Sequence, residues 1–431
     1  MAATISQATT ATRLVSRVVC PHCWHNFPPE DVLWTSEHID LLGDTLLGRD
    51  QQQRFLPSRF TPQGDALDAR GVVCHRLSCP HCHLAVPRGM LESEPLFLSV
   101  LGAPLSGKSY FLAAAMWKLR EVMTTTFGVS FQDADPAANI PLNEAEKQLF
   151  LNSTPDDVFI PSDLIDKTKA QGVGVLADDI SYGQHTITYP RPYLFSLQLN
   201  DRHPNAAKGG WDHTLCLYDN AGEHWMPGAD TPTSHVTRHL AHSRVILYLF
   251  DPMQDRRFRD AARRGGDSVQ VGVDALNRQE TILNEAAARI RRYCGLAQKA
   301  KIDRPLIVVL PKFDAWSHLL DHKLYEQPWG TSPKHPVALL HTEHVDQVSA
   351  SVRRLLEGLC PEVVNSADAL AGKVTYIPIS VLNGGITRDP ATGKTGVRPG
   401  EIRPFWVTVP FLYAFQMAVP SLIARPIRKT S

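Results

Sequence analysis

The run Gly102-Ala103-Pro104-Leu105-Ser106-Gly107-Lys108-Ser109 fits G-x-x-x-x-G-K-[ST], and no other feature of the chain constrains its fold as tightly. An apolar stretch, Leu96-Phe97-Leu98-Ser99-Val100-Leu101, leads into it, and a helical pattern from Tyr110 to Leu119 leads out. Strand, glycine-rich turn and helix in that order form a loop that cradles phosphate. Glycines let successive backbone N–H groups turn inward, and the helix N-terminus adds positive potential. Residues Gly102 to Tyr110 are therefore the expected phosphate-binding segment, with Lys108 reaching the outer phosphates and the Ser109 hydroxyl on Mg²⁺. The expected fold class is α/β, a mostly parallel sheet with helices on both faces.

Three later segments fit the strands of such a sheet. Leu215-Cys216-Leu217-Tyr218 runs into Asp219-Asn220-Ala221-Gly222-Glu223, an apolar strand ending in Asp-x-x-Gly. Asp219 is a candidate Mg²⁺ carboxylate, Gly222 a backbone donor to a terminal phosphate, and Glu223 stands where a residue orienting the attacking water would be. Pro305 to Leu310 is apolar throughout, the mark of a strand buried on both faces, and it delivers Lys312 and Asp314 to the strand end where ligands bind. Val374 to Ile379 is another such strand, ending at Ser380. Arg244 to Phe250 is a fourth core strand, followed by Asp251-Pro252, and residues 278–294 form a charged amphipathic helix. Tyr193–Leu199 and His213–Leu217 read as an antiparallel hairpin. Thr186 and Thr188 both stand before it as candidates for a switch hydroxyl.

The chain has eight cysteines, and four of them form identical knuckles, Cys20-Pro21-His22-Cys23 and Cys79-Pro80-His81-Cys82. Paired C-x-x-C turns supply the four thiolates of a tetrahedral Zn²⁺ site. His22, His25, His81 and His83 are substitute ligands by position, and Cys74 is a fifth thiol nearby. Four protein ligands close a metal to substrate, so the reading is a structural ribbon or docking module. Nucleic-acid contact by the ribbon stays open as a minor alternative, because the aromatic and basic residues nearby form no stripe. Asp31 to Val73 reads as an insertion looping out between the knuckles. Cys216, Cys294 and Cys360 read as buried packing residues.

The resulting division is a disordered leader at 1–17, a zinc ribbon at 18–95, and a nucleotide domain at 96–431. That domain carries insertions near 132–182 and 256–275, the second a mobile loop. Lys+Arg and Asp+Glu both number 44, so net charge supplies no general attraction to nucleic acid or anionic membrane. The leader is rich in Ala, Thr and Ser and lacks an apolar core, which leaves a transit peptide as the alternative to a disordered tail and predicts a cytoplasmic protein rather than a secreted one. The apolar stretch from Phe405 to Ala424 is long enough to span a bilayer, but Pro410, Pro420, Gln416, Thr408 and Ser421 favour a buried terminal helix packed on the sheet.

The order of glycine-rich loop, hairpin, D-x-x-G, Phe250-Asp251-Pro252, K-x-D and Ser380 resembles a P-loop GTPase of the translation-factor (TRAFAC) class. With the upstream knuckles it is similar to the double-GTPase family of bacterial multi-gene conflict systems. The resemblance implies a Mg²⁺-dependent GTP/GDP switch working with partner proteins, among them a GTPase activator or a second GTPase. It implies that Asp314 reads guanine, that Lys312 covers the base, and that Ser380 begins the loop contacting the guanine oxygen. Pro311 departs from that pattern where the family has an Asn whose hydrogen bonds brace the loop. Glu223 departs at the water-orienting position, where a carboxylate repels the phosphate. A P-loop ATPase with a nucleic-acid-contacting ribbon and a non-hydrolysing scaffold are the alternatives.

Overall fold

The computed structural model describes residues 14–159, 177–208, 212–220, 222–225, 231, 233–263, 278–321, 324–332, 335–384, 386–388 and 395–425. The chain divides into two compact units, Met1–Pro95 with Trp211–Thr214, and Leu96–Gly210 with Leu215–Ser431.

In the first unit each knuckle follows one short strand and precedes another. Val18–Val19 pairs antiparallel with Asn26–Phe27, and Leu77–Ser78 pairs antiparallel with Ala85–Val86. The segment 31–73 does more than loop out. It adds Leu33–Thr35 and Arg54–Phe55 to the second hairpin, giving a sheet ordered Ala85–Val86, Leu77–Ser78, Leu33–Thr35, Arg54–Phe55. The register sets Trp34 opposite both Leu77 and Phe55, and the Thr35 and Ser78 hydroxyls meet at 2.8 Å. These strands are two or three residues long, too short for a periodicity to show in the sequence. Of the leader, residues 1–13 lie outside the described residues, while Val15 is buried and donates its N–H to Leu91 O at 2.8 Å.

The second unit is built on a seven-stranded sheet. Its strands are β1 (Ser93–Gly102), β2 (Val129–Asp133), β5 (Tyr193–Leu199), β6 (Asp212–Asp219), β7 (Val245–Leu249), β8 (Leu306–Leu310) and β9 (Val374–Pro378). A separate two-stranded ribbon, β3 (Ala177–Tyr182) with β4 (His185–Pro190), lies between β2 and β5 in the chain. The sheet order is β2-β5-β6-β1-β7-β8-β9. The pairs β1/β7, β7/β8 and β8/β9 are parallel and β2/β5 is antiparallel. Every residue of β7 and β8 is buried, as their unbroken apolar sequence requires of parallel strands covered on both faces. In an open sheet of this kind, ligands bind beyond the strand C-termini where the order of connection reverses, here beside β1.

The longer helices of this unit are α1 (Lys108–Val122), α2 (Ile140–Phe150), α3 (Arg256–Arg263), α4 (Gln279–Tyr293), α5 (Thr342–Leu359), α6 (Pro361–Leu370) and α7 (Val409–Ala418). Helix α1 buries Phe111, Leu112, Ala113, Ala114, Ala115, Met116 and Leu119, and a π-turn over Met123–Phe127 continues it to Gly128. Gly128 has φ of 70°, and a Cβ there would lie 2.7 Å from Val337 Cγ1, so only glycine turns the chain into β2. Helix α7 is buried from Val409 to Gln416 and packs on β7 and β8, with Phe411 stacked on Phe111 at 5.6 Å. The terminal apolar stretch thus lies in the core, and among the described residues no helix is long and apolar enough to cross a membrane.

Three expectations need correction. The insertion expected from Gln132 begins later, because Gln132 and Asp133 complete the edge strand β2, where Asp133 pairs with Phe195, and α2 follows; residues 160–176 lie outside the described residues. The segment expected as a mobile loop from Arg256 opens with α3, which buries Phe258 and Ala262 one turn apart; residues 264–275 lie outside the described residues. Cys294 is exposed, since it forms the C-cap of α4 and not part of its apolar stripe, whereas Cys216 and Cys360 are buried.

Candidate nucleotide and metal sites

The backbone of residues 102–109 takes the shape of a phosphate cradle. Leu105 and Gly107 adopt φ of 61° and 90°, turning the chain between β1 and α1, and Gly107 caps the helix with no acidic residue in its first turn. A Cβ on Gly102 would lie 3.0 Å from Ser106 Oγ and 3.1 Å from Leu249 O, so any side chain there would press the loop outward by a few tenths of an ångström. Lys108 Nζ donates to Gly102 O at 3.0 Å, folding the ammonium over the loop. The Ser106 hydroxyl is buried without a hydrogen-bond partner, whereas Ser109 is exposed on the first turn of α1 and Tyr110 packs half-buried at the core edge. Ala103 is buried, and Pro104 and Leu105 form the outer turn.

Strand β6 carries Asp219 to the same end of the sheet. Its Oδ1 is buried with no hydrogen-bond partner. Burial pushes this carboxyl up to about 6, and the nearby Lys108 charge opposes the shift. Gly222 is buried against the loop: a Cβ there would fall 2.5 Å from Pro104 Cδ and 2.6 Å from Pro104 N. An unpaired carboxylate, a lysine ammonium, an orphaned hydroxyl and a close-approach glycine are a donor set that fits a phosphate–cation pair. The Glu223 side chain lies outside the described residues.

Beyond Gly222 a short 3-10 turn, Gly222–Trp225, is held from α4. The almost fully buried Arg289 donates to His224 O at 2.6 Å, pairs with Glu285 at 2.8 Å, and lies 5.5 Å from the centre of the Trp225 ring. Thr186 and Thr188 sit on β4, where Thr188 Oγ1 donates to Asp179 at 2.6 Å and Thr186 is exposed. Among the described residues, neither hydroxyl is seen bonded to the glycine-rich loop.

The end of β8 forms the second half of the site. Lys312 takes a left-handed φ of 59°, and its ammonium lies 2.7 Å from Asp251 Oδ2. Asp314 accepts a short hydrogen bond from Ser380 Oγ, which itself accepts from Asn383 N at 3.0 Å. Phe313 N bonds Ile379 O at 2.9 Å, tying the loop to the end of β9. At Pro311, the carbonyl accepts from the buried Trp316 indole at 3.1 Å. Asp251, Gln279 and Trp316 were missed as site residues from sequence. The signal available for Asp251 was a lone carboxylate directly after an unbroken apolar strand.

In the first unit, Cys20, Cys23, Cys79 and Cys82 converge, with all four Sγ atoms within 4.8 Å of one another. The Cys20–Cys82 and Cys23–Cys79 separations are both 3.7 Å. A tetrahedron with Zn–S bonds of about 2.3 Å has S···S edges of about 3.8 Å, so the cluster fits zinc. The knuckles are copies of one turn. Trp24 and His83 are left-handed at 57° and 62°, and the His22 and His81 amides point at Cys20 and Cys79 sulfur at 3.4 and 3.3 Å. None of the histidines replaces a thiol: His22 Nε2 contacts Ala85 O at 3.1 Å, His25 stacks on His81 at 5.0 Å, and His83 Nδ1 pairs with Asp44 at 2.9 Å. The fifth thiol, Cys74, points to Val72 O instead.

No protein-family model matches the chain. A similar curated protein is the proposed ESX-1 scaffolding and assembly protein SaeC of Mycolicibacterium smegmatis, 25% identical over 330 residues, spanning 72% of this chain and 73% of that one. Among solved structures, the S. cerevisiae Ski7 GTPase-like domain bound to GTP aligns over 78% of this chain and 52% of its own, at 14% identity and a TM-score of 0.31. The same domain bound to GDP and inorganic phosphate aligns over 67% and 43%, at 13% identity and a TM-score of 0.25. The chain thus spans about half of each of those structures.

Proposed function

We propose that the second unit binds GTP with Mg²⁺ and hydrolyses it as a molecular switch acting on partner proteins. The observation that carries this is the approach of Gly222 to Pro104, which joins the Asp-x-x-G segment to the glycine-rich loop within contact distance. Lys108, Ser109 and Asp219 are the residues that would hold the phosphates and cation, and Lys312, Asp314 and Ser380 those that would read the base. Bound Mg²⁺ would supply charge neutralisation at the β- and γ-phosphates. The chain's own contribution is positioning. The loop amides and Lys108 hold the phosphates, and Gly222 offers a backbone N–H whose placement depends on the turn anchored by Arg289. Intrinsic turnover is slow, and a partner supplies the arginine that speeds it. The four cysteines hold a structural zinc that shapes the first unit.

Calorimetry with Mg²⁺ tests this directly. Purified protein should bind GTP and GDP, and Lys108→Ala should abolish binding or turnover. Binding of neither nucleotide by the wild type rejects the proposal. ATP bound in preference to GTP, with turnover stimulated by DNA or RNA, would instead favour the ATPase alternative. The similarity to a protein described as a scaffold favours one further reading, in which nucleotide is bound without turnover and the site serves assembly. Tight binding with no hydrolysis, even in cell lysate, would select it. The conflict-system setting rests on the family resemblance alone.

A further inference from the structure

The departure at Pro311 leaves the base-reading loop without an Asn brace, yet the loop is firmly held. Asp251, fully buried at the end of β7, is the centre of that hold. Its Oδ2 takes the Lys312 ammonium at 2.7 Å and its Oδ1 accepts from Met253 N at 3.0 Å. Gln279, the buried first residue of α4, grips the Asp251 backbone on both sides, accepting from its N–H at 3.0 Å and donating to its carbonyl at 2.8 Å. The neighbouring Gln254 side chain also reaches Asp251, and its amide lies 3.5 Å from Pro104 O in the glycine-rich loop. A non-glycine residue at φ of 59° is unfavourable unless its surroundings hold it there. A buried carboxylate is costly unless paired. Each of Lys312 and Asp251 therefore needs the other.

We propose that Asp251 is a positioning residue for base recognition: with its backbone gripped by Gln279, its buried carboxylate fixes Lys312 in its left-handed pose and takes over the bracing that an Asn at Pro311 would have supplied. This rests on the reading of the site as a guanine site. Lys312 and Asp314 are consecutive anchors of one short loop, so freeing the ammonium frees the stem meant to cover the base and loosens the carboxylate meant to read it. Gln254 extends the same brace to the phosphate loop, so base and phosphate halves are held from a single residue.

The test is calorimetry of the full chain with Mg²⁺ and GTP or ATP, on wild type, Asp251→Asn, Lys312→Met and the double variant. Asp251→Asn should weaken GTP at least about tenfold, the size expected for removing one charge-assisted contact. ATP should weaken less, so selectivity narrows. Lys312→Met should do the same, and the double variant should be no worse than either single one, because both break one interaction. Should Asp251→Asn fail to fold, Gln279→Ala leaves the carboxylate in place while releasing its backbone, and should show the same narrowing. Unchanged GTP affinity and selectivity in the folded variants, or losses that simply add, overturn the inference while leaving the GTP reading standing. A wild type that binds no guanine nucleotide overturns that reading first.

Discussion

A Cβ on Gly222 would lie 2.5 Å from Cδ of Pro104, so the residue three places after Asp219 can approach the glycine-rich loop this closely only without a side chain. Contacts under 3 Å force movement, and Pro104 is a ring on a loop whose backbone is also in the way at 2.6 Å. Gly222→Ala should push the two segments apart. Overpacking of this kind costs about 1–3 kcal/mol. If that cost falls on the bound arrangement, GTP affinity drops roughly 5- to 150-fold. The melting temperature should change little, since the strain can relax by opening the site. Titration calorimetry beside a thermal melt would check it, and wild-type affinity in the variant would show that the contact is not part of the binding geometry.

Asp219 gives the site a pH dependence with a definite sign. Its carboxyl titrates at about 6 in the folded chain, above the ordinary carboxylate near 3.9. An acid whose folded value is raised favours the folded state fully at low pH, and that contribution is lost as pH rises through about 6. Asp219→Asn should therefore melt higher than wild type above pH 6, with the gap closing toward pH 4. Binding runs the other way, because a cation needs the ionised carboxylate. Mg²⁺-dependent GTP binding by wild type should weaken as pH falls below 6. Parallel melts and binding curves from pH 4.5 to 8 would reveal both trends.

The four thiols of the first unit should hold one zinc per chain. Structural zinc supplies about 10–16 kcal/mol of apparent binding energy to small metal-dependent folds, so removing it removes most of their stability. A chelator, or Cys82→Ser, should abolish bound zinc in elemental analysis and raise proteolysis within residues 18–95. His25→Ala and His81→Ala should leave the zinc content intact, since their rings stack on each other. Loss of zinc in those histidine variants would contradict the four-cysteine assignment.

Arg289 is buried, pairs with Glu285, and spans the turn after Gly222. Arg289→Met keeps length and apolar bulk but leaves Glu285 and the His224 carbonyl without their cation. Breaking such a pair from one side costs about 3–5 kcal/mol when it is fully buried, and less here because Glu285 is partly exposed. The melting temperature should fall, and amide hydrogen exchange across residues 222–225 should speed up more than in β7 or β8. Uniform loosening of the whole unit would mean that Arg289 is only a general packing residue.

Much of this arrangement was legible in the amino-acid order. Strands buried on both faces announce themselves as unbroken apolar runs, which is why β7, β8 and β9 were found from sequence, and fixed local spacing exposes a glycine-rich loop or a C-x-x-C knuckle. What escaped were elements whose signal is short or two-sided. The edge strand β2 is five residues with polar alternation, α3 is dominated by arginine, and the two strands that the 31–73 segment adds to the second hairpin are two or three residues long. Their conformation comes from partners distant in the chain, so no local pattern reports it.

The order of residues alone determined the chemistry on offer: a lysine and serine behind paired glycines, carboxylates at the ends of apolar strands, and four thiols in two matching turns. Tertiary structure decided which of those groups work together. It set Gly222 against Pro104, paired Lys312 with Asp251, 61 positions earlier, and brought together thiol pairs 56 and 62 positions apart from the two knuckles. Burial is the reason. A charge or close contact acquires its role only when the surrounding core removes water and fixes its neighbours, and that is a property of three-dimensional packing.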